Sequence, residues 1–291
     1  MLFQYLRNAA ILLTILAGFS DFSLAQSQTH PLTVLTYNIR YANPEDAPNT
    51  WAQRKEKVFG LIREAKPDVF GLQEALIEQV LDVRNAFSGY KFIGVGRDDG
   101  KKLGEYSPLF FNSEKYTLME SGTFWLSQTP SVPGSRGWDA ACNRVVTWVH
   151  LKENTTGKPF VVFCTHFDHI GEIARRNSAN LLLQALDSLA KDKTAIVLGD
   201  FNATPDSEPY QIITSTSDPK SLTDAGLIDK NYTGLQYTYC GFKVGGLPCE
   251  RIDYIFVKNI NKVDSYKVNP ANNGTYYPSD HLPVSARIFF D

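Results

Sequence analysis

The sequence has no excess of charge of either sign, no linker and no long transmembrane run, and each absence removes a class of protein. Lysine and arginine total 29 against 31 aspartates and glutamates, a net charge of −2. Proteins that grip long nucleic acid usually carry a basic face, and nothing in this balance demands one. No long Ser/Pro/Gly tract, charge block or internal repeat divides the chain. One large domain is therefore expected, in a single subunit. The apolar run from Ala9 to Phe19 is too short to cross a bilayer comfortably. With Arg7 before it and Ser23-Leu24-Ala25 after it, it reads as an export signal over residues 1–25. The domain then occupies 26–291, starts near Gln26 and resides in the periplasm or outside the cell. No cysteine lies near the cleavage point, which argues against a lipid anchor.

Cysteine is scarce too, at four residues. Cys240 and Cys249 flank the glycine-rich GFKVGGLP, and an exported chain can close that loop with a disulfide. Cys142 and Cys164 fall near two apolar runs, NRVVTWVHL and FVVFCTHF, joined by the turn-like ENTTGKP. A hairpin there pairs Cys164 near Thr147, away from Cys142, so both thiols are expected to be free and buried.

What is present is a run of short apolar segments that end in polar residues. Leu32 to Ile39 reads as a strand. Thr50 with Gln53 forms a capping box. Trp51, Val58, Leu61, Ile62 and Ala65 then share one helical face up to Pro67. Val69 to Gln73 is a second strand and Ala75 to Phe87 a second helix. Strands follow over Lys91–Gly96, Ser107–Phe111, Tyr116–Met119, Arg144–Leu151 and Phe160–His166. A long helix from about Glu172 to Ala190 leads to a strand at Thr194–Leu198. Ile252–Val257, Val263–Val268 and Val284–Phe290 close the chain as strands. Many strands, few helices and several hairpin-like neighbours predict an α/β (α+β) fold. Two mixed β-sheets pack face to face, with helices outside.

Five polar clusters sit at strand ends, where α/β sheets present their ligands. They contain Asn38 in TYNIR, Glu74 in LQE, His166 in THFDH, Asp200 and Asn202 in GDFN, and Asp280 with His281 in SDH. Glu74 suits a hard cation such as Mg²⁺. Alone it reads more readily as a solvated helix-start carboxylate, and Asn38 more readily as a turn amide. Asp200 and Asn202 are two apart, which in an extended segment places both on one face. Asp200 then orients or deprotonates a water, and Asn202 donates to a phosphate oxygen. The competing reading is an Asx-turn before Thr204-Pro205. His281 beside an acid suits acid–base work or phosphate binding. Asp253, in RIDY, is placed to fix the His281 tautomer or is an ordinary strand-start carboxylate. These residue types suit metal-assisted hydrolysis of a phosphate ester.

TYNIR, LQE, THFDH, GDFN, RIDY and SDH follow one another as in the endonuclease/exonuclease/phosphatase superfamily, the DNase I-like fold, which the sequence resembles from Leu32 to Phe290. The segments GRDDGKKLGEYSPLFFN and GWDAACNRVVTW are similar to a bacterial exported branch with likeness to deadenylase and nocturnin-type members. The resemblance implies a four-layered sandwich and a divalent metal, Mg²⁺ or Mn²⁺. It makes Glu74 the principal metal ligand, with Asn38 and Asp280 beside the metal. Asp200 activates water next to Asn202. His281, oriented by Asp253, serves the scissile phosphate, and His166 fills the other active-site histidine position. Arg97, Glu105, Trp138, Arg144 and His169 are candidate substrate contacts, the arginines for a second phosphate. Arg175 and Arg176 open the long helix, one to brace the site and one solvated.

The expected function is hydrolysis of a phosphodiester or phosphomonoester, a nucleotide, oligonucleotide or other small phosphoester, by in-line attack of water. Two alternatives stand beside it. One is a phospholipid or sphingomyelin-type phosphodiesterase, for which Thr123–Leu126 is the candidate exposed apolar hairpin. The other is a binding module that kept the fold and lost turnover.

Overall fold

The computed structural model describes residues 31–228 and 232–290, so the expected export signal lies outside the described residues. The chain opens with β1 (Leu32–Asn38), a 3-10 turn (Pro44–Asp46), α1 (Trp51–Ala65), β2 (Val69–Gln73) and α2 (Ile77–Ala86). β3 (Tyr90–Ile93), β4 (Leu109–Asn112), β5 (Tyr116–Trp125), β6 (Val145–Glu153) and β7 (Pro159–His166) follow. Next come α3 (Glu172–Leu189), β8 (Thr194–Asp200), α4 (Glu208–Thr214), β9 (Thr223–Asp224) and α5 (Ala225–Ile228). β10 (Thr233–Gly234), β11 (Asp253–Lys258), β12 (Lys262–Val268) and β13 (Val284–Phe289) complete the fold.

One sheet has seven strands in the order β10-β12-β13-β1-β2-β4-β3; the other has six, β5-β6-β7-β8-β11-β9. Strand alternation divides their side chains between layers. Leu32 and Val34 of β1 enter the apolar layer between the sheets, with Val162, Ile196 and Ile255 of the opposite sheet. Leu35 and Tyr37 point the other way, under Val58 and Ile62 of α1 and Val80 of α2. On the far side Val161, Phe163 and Val197 pack against Leu182 and Leu186 of α3 and Ile213 of α4. Three apolar layers thus hold four layers of structure, as the sequence pattern predicted. Burial of each large aliphatic contributes about 1.5–3 kcal/mol.

Local signals did what their chemistry requires. Gln53 accepts from the Thr50 amide at 3.2 Å, so the expected cap forms. Thr147 and Cys164 are register partners, and Cys240 is bonded to Cys249. Cys142 is only half-buried, because it lies in the loop before β6 and not in the strand. Thr123–Leu126 is no exposed hairpin: it finishes β5, and Trp125 and Leu126 are buried. The short helix α4 buries its own Pro209, Tyr210 and Ile213. At Gly71 the sheets approach so closely that a Cβ would meet Cys164 Sγ at 2.6 Å. No helix among the described residues is long and apolar enough to cross a membrane.

Strand direction gathers the polar clusters. β1 and β2 are parallel, as are β7 and β8, and all four end at one edge. β13 runs antiparallel to β1, and β11 antiparallel to β8, so both begin at that edge.

Candidate active site

Asp200 is the centre of the assembly, and its neighbours follow from strand register. His166 is its partner across β7–β8 and Asp253 its partner across β8–β11. The Asp200 Oδ2 atom lies 2.9 Å from Asn38 Nδ2, 3.4 Å from His166 Nε2 and 3.7 Å from His281 Nε2. His281 Nδ1 donates to Asp253 Oδ2 at 2.9 Å. Asp200, Asp253, His166 and His281 are all buried.

Burial acts differently on each member. It pushes the Asp200 carboxyl up to about 7, and the charge of Asp253 adds to the shift. Burial also opposes charge on His281, but Asp253 and Asp200 outweigh it and hold the imidazolium well past its ordinary range. His166 goes the other way: burial, then Arg144 and Arg97, keep it neutral well below the usual value. A carboxylate balanced near neutrality thus stands between one neutral and one charged imidazole, an arrangement suited to proton transfer.

The expected same-face spacing of Asp200 and Asn202 does not hold. Asn202 adopts a left-handed φ of 46° and its backbone N–H donates to Asp200 Oδ1 at 3.0 Å, closing an Asx-turn. The competing turn and the site coexist: one oxygen of Asp200 makes the turn and the other faces the cluster. The Asn202 amide nitrogen donates to Phe167 O at 3.0 Å and to His166 Nε2 at 3.1 Å. Both amide hydrogens are therefore taken, the His166 proton sits on Nδ1, and Asn202 meets the cavity as an acceptor.

Glu74 lies just beyond β2 at φ 61°, with its side chain largely buried. It accepts from Asn38 Nδ2 at 3.0 Å and from the Tyr41 amide at 3.2 Å. Arg40 stands 3.8 Å from Glu74 and 3.9 Å from Asp280, both beyond hydrogen-bond range, while Asp46 takes it at 3.0 Å. Burial pushes Asp280 up, and the charge of Glu74 adds to this against the pull of His281. Two carboxylates sharing one distant guanidinium leave oxygen lone pairs and negative charge over, which fits a hard divalent cation. Asn38 contributes as a donor, since its Oδ1 accepts from the Arg40 amide at 3.0 Å.

Among the described residues two groups of three bring His, Cys, Asp or Glu atoms within 4.8 Å of one another, neither including Glu74 or Asp280: Asp200, Asp253 and His281, and Cys142, Asp168 and His169. The first is the hydrogen-bonded relay above. In the second Arg144 is already the resident cation, 3.4 Å from Asp168 and 3.0 Å from His169 Nδ1.

A cavity of about 500 Å³ joins these parts; Glu74, Asp280, Asp200, Arg97, Glu105, Arg144 and His169 line it. Arg97 pairs with Glu105 at 2.5 Å. Trp138 is not brought to this wall; it turns at φ 51° and its amide bonds Gln128. A second hollow of about 420 Å³ adjoins through Asn202 and His169, edged by Glu172, Arg175 and Glu208. Arg175 braces the site by donating to Asp168 O at 3.0 Å, and Arg176 is the exposed one.

Three contributors escaped the sequence reading. Arg54, only 3% exposed, donates to the carbonyls of Asn49, Ile39, Arg40, Tyr41 and Pro278, tying the loop after β1 to the segment before Asp280. Its signal was present: it lies on the apolar face of α1 between Trp51 and Val58. Asp168 takes four backbone amides, which hold it down at about 2 although burial opposes this. Tyr239 bridges Glu250 and His281 and sets its ring 4.9 Å from the His281 ring, and no local pattern marked it.

Two mixed sheets that present a buried Asp–His–Asp relay beside an oxygen-rich cation position define a metal-assisted phosphoesterase site. The chain belongs to the endonuclease/exonuclease/phosphatase family, whose model matches residues 35–281. A solved family member from Bacteroides vulgatus is 41% identical, with TM-score 0.85, covering 90% of this chain and all of that one. A Bacteroides thetaiotaomicron mannosyl-6-phosphatase is 37% identical with TM-score 0.84, covering 89% of this chain and 100% of its own. The human Nocturnin catalytic domain shares the fold at 24% identity and TM-score 0.69, covering 89% of this chain and 94% of that domain. Members of the family are phosphoesterases that normally use a divalent metal, and this chain is an enzyme of that kind.

Proposed function

We propose that the protein is an exported, Mg²⁺-dependent phosphatase of small, hydroxyl-rich phosphate esters, sugar phosphates above all. The observation that carries the reading is the setting of Asp200, whose Oδ2 lies 2.9 Å from Asn38 Nδ2, 3.4 Å from His166 Nε2 and 3.7 Å from His281 Nε2. Glu74 and Asp280, with Asn38 alongside, would hold the ion, which supplies neutralisation of charge on the phosphoryl oxygens. Asp200 takes a proton from the attacking water, and the free acceptor of Asn202 orients that water's other hydrogen. His281, held by Asp253, offers an N–H to phosphoryl oxygen as charge develops there. The 37% identical mannosyl-6-phosphatase supports the sugar phosphate, as does a polar cavity with an adjoining hollow. The run Arg7 to Ala25 supports export. The oxygen-only donors Glu74 and Asp280 support Mg²⁺ over softer ions. The phospholipid alternative loses its one candidate contact, because Trp125 and Leu126 are buried.

The test is phosphate release with Mg²⁺ from mannose 6-phosphate, other sugar phosphates, a short oligonucleotide and phospholipid vesicles. The expected result is turnover of sugar phosphates that disappears in Glu74→Ala and His281→Ala. A wild-type rate no higher than those variants would leave a binding module. Oligonucleotide or vesicle turnover alone would overturn the substrate class. Mass spectrometry of the protein recovered outside the cytoplasm should give an N-terminus near Gln26.

A further inference from the structure

The cavity has a cationic wall that the relay and the cation position do not use. Arg144 is 5% exposed and His166 6%; Arg97 lies largely buried beside them. Arg144 Nη1, Arg97 Nε and His166 Nδ1 are all buried with no hydrogen-bond partner. The three residues line both the main cavity and a narrow crevice continuous with it. Leaving a buried donor unpaired is costly, so a folded chain rarely keeps three together. A lone case such as Arg251 Nε, whose residue does not line the cavity, carries no such message. Here the three donors belong to residues that line one crevice together.

Local structure also keeps the charge of Arg144 available. Its carboxylate partner, Asp168, is already saturated by the amides of Ala141, Cys142, Ile170 and Gly171, and the ion pair is long at 3.4 Å. The backbones of both arginines hang from the end of the β5–β6 pair. Leu126 N donates to Arg144 O at 2.8 Å, and Trp125 Nε1 donates to Arg97 O at 2.6 Å. The wall is therefore rigid before substrate arrives.

Resting on the phosphatase reading above, we propose that Arg144, backed by Arg97, selects dianionic phosphomonoesters over phosphodiesters. A monoester has three terminal oxygens and two charges; a diester has two and one. Glu105 and Asp200 line the cavity beside the cation-holding Glu74 and Asp280, and carboxylates there penalise the second charge of a monoester. The guanidinium wall offsets that penalty, and Arg144 Nη1 and Arg97 Nε supply charge-assisted donors for the third oxygen. A diester places an alkyl oxygen there and leaves the donors unpaired.

The test compares p-nitrophenyl phosphate with bis-p-nitrophenyl phosphate, which share a leaving group, in wild type, Arg144→Gln and Arg97→Gln. The wild type should prefer the monoester. The ratio of monoester to diester kcat/KM should fall about 30-fold or more in Arg144→Gln and several-fold in Arg97→Gln. Calorimetric titration with inorganic phosphate should show at least a roughly tenfold loss of affinity in Arg144→Gln. If Arg144→Gln does not fold, the Arg97→Gln ratio and its phosphate titration decide. An unchanged ratio and unchanged phosphate affinity overturn the proposal. A wild type that prefers the diester overturns it alone, whereas one that cleaves neither ester overturns the phosphoesterase reading as well.

Discussion

Asp200 and Asp253 face one another across the β8–β11 pair, so two carboxylates meet at a buried point with His281 bonded to one and 3.7 Å from the other. Neither strand alone has a reason to place an acid there. The antiparallel register makes the pair, and the imidazolium makes it tolerable.

The pH dependence follows from that pair. With Asp200 raised to about 7, its base form is present only at and above that pH. The kcat/KM profile should rise about tenfold per pH unit on the acid side and level off above about 7. Asp253→Asn removes a like charge and should move this limb to lower pH by about one unit. A limb that stays in place would remove Asp200 as the base.

The same shift predicts a stability trade. A carboxyl whose pKa is raised by folding favours the fold fully below its ordinary 3.8 and loses that contribution as pH climbs through about 7. Asp200→Asn should therefore melt higher than wild type at pH 8 and gain nothing at pH 4. Thermal melts in a chelator at both values check the sign.

The two site histidines should titrate in opposite directions. His166 stays neutral well below its usual range and His281 stays charged well above it. Imidazole NMR of the metal-free protein should show His166 titrating well below, and His281 well above, the ordinary histidine range. Arg144→Gln removes the largest charge acting on His166 and should raise its titration.

Arg54 holds five backbone carbonyls with one guanidinium. Arg54→Met leaves several buried acceptors unpaired and should cost about 3–5 kcal/mol by denaturant unfolding. Arg54→Lys should recover little of this, because a point charge cannot span the fork. The divalent-metal concentration needed for activity should rise in both, since the segments bearing Asn38 and Asp280 lose their tie.

The Cys240–Cys249 bond closes a loop whose flanks hold Tyr239 and Glu250, and Tyr239 in turn bridges His281. Cys240→Ser/Cys249→Ser should lose about 2–3 kcal/mol from the short loop. It should also lose several-fold in kcat, measured well below its melting point. A stability loss with kcat intact would separate the bond from the site.

The sequence carried the fold where alternation and caps are local. Thr50 with Gln53, the Thr147–Cys164 register and the polar strand ends all stand as their patterns predict. The structure was needed wherever a residue acts through the backbone. Glu74, Arg40 and Asn202 sit at positive φ, which no composition of the chain announces. The Asx-turn of Asp200 and the site role of the same side chain look like rivals in sequence and are two oxygens in space. Trp138 lay in a branch-specific segment, yet its turn carries it away from the cavity. Arg54 was readable as a charge on an apolar helical face, and Tyr239 was not readable at all.

β13 has a consequence for when the enzyme becomes active. It lies between β1 and β12, and its docking sets His281, just upstream, against Asp253. Glu74, His166 and Asp200 can be in place on their own strands and still have no charged imidazole to complete the relay. Catalysis then switches on in one step, when the final strand slots beside the first.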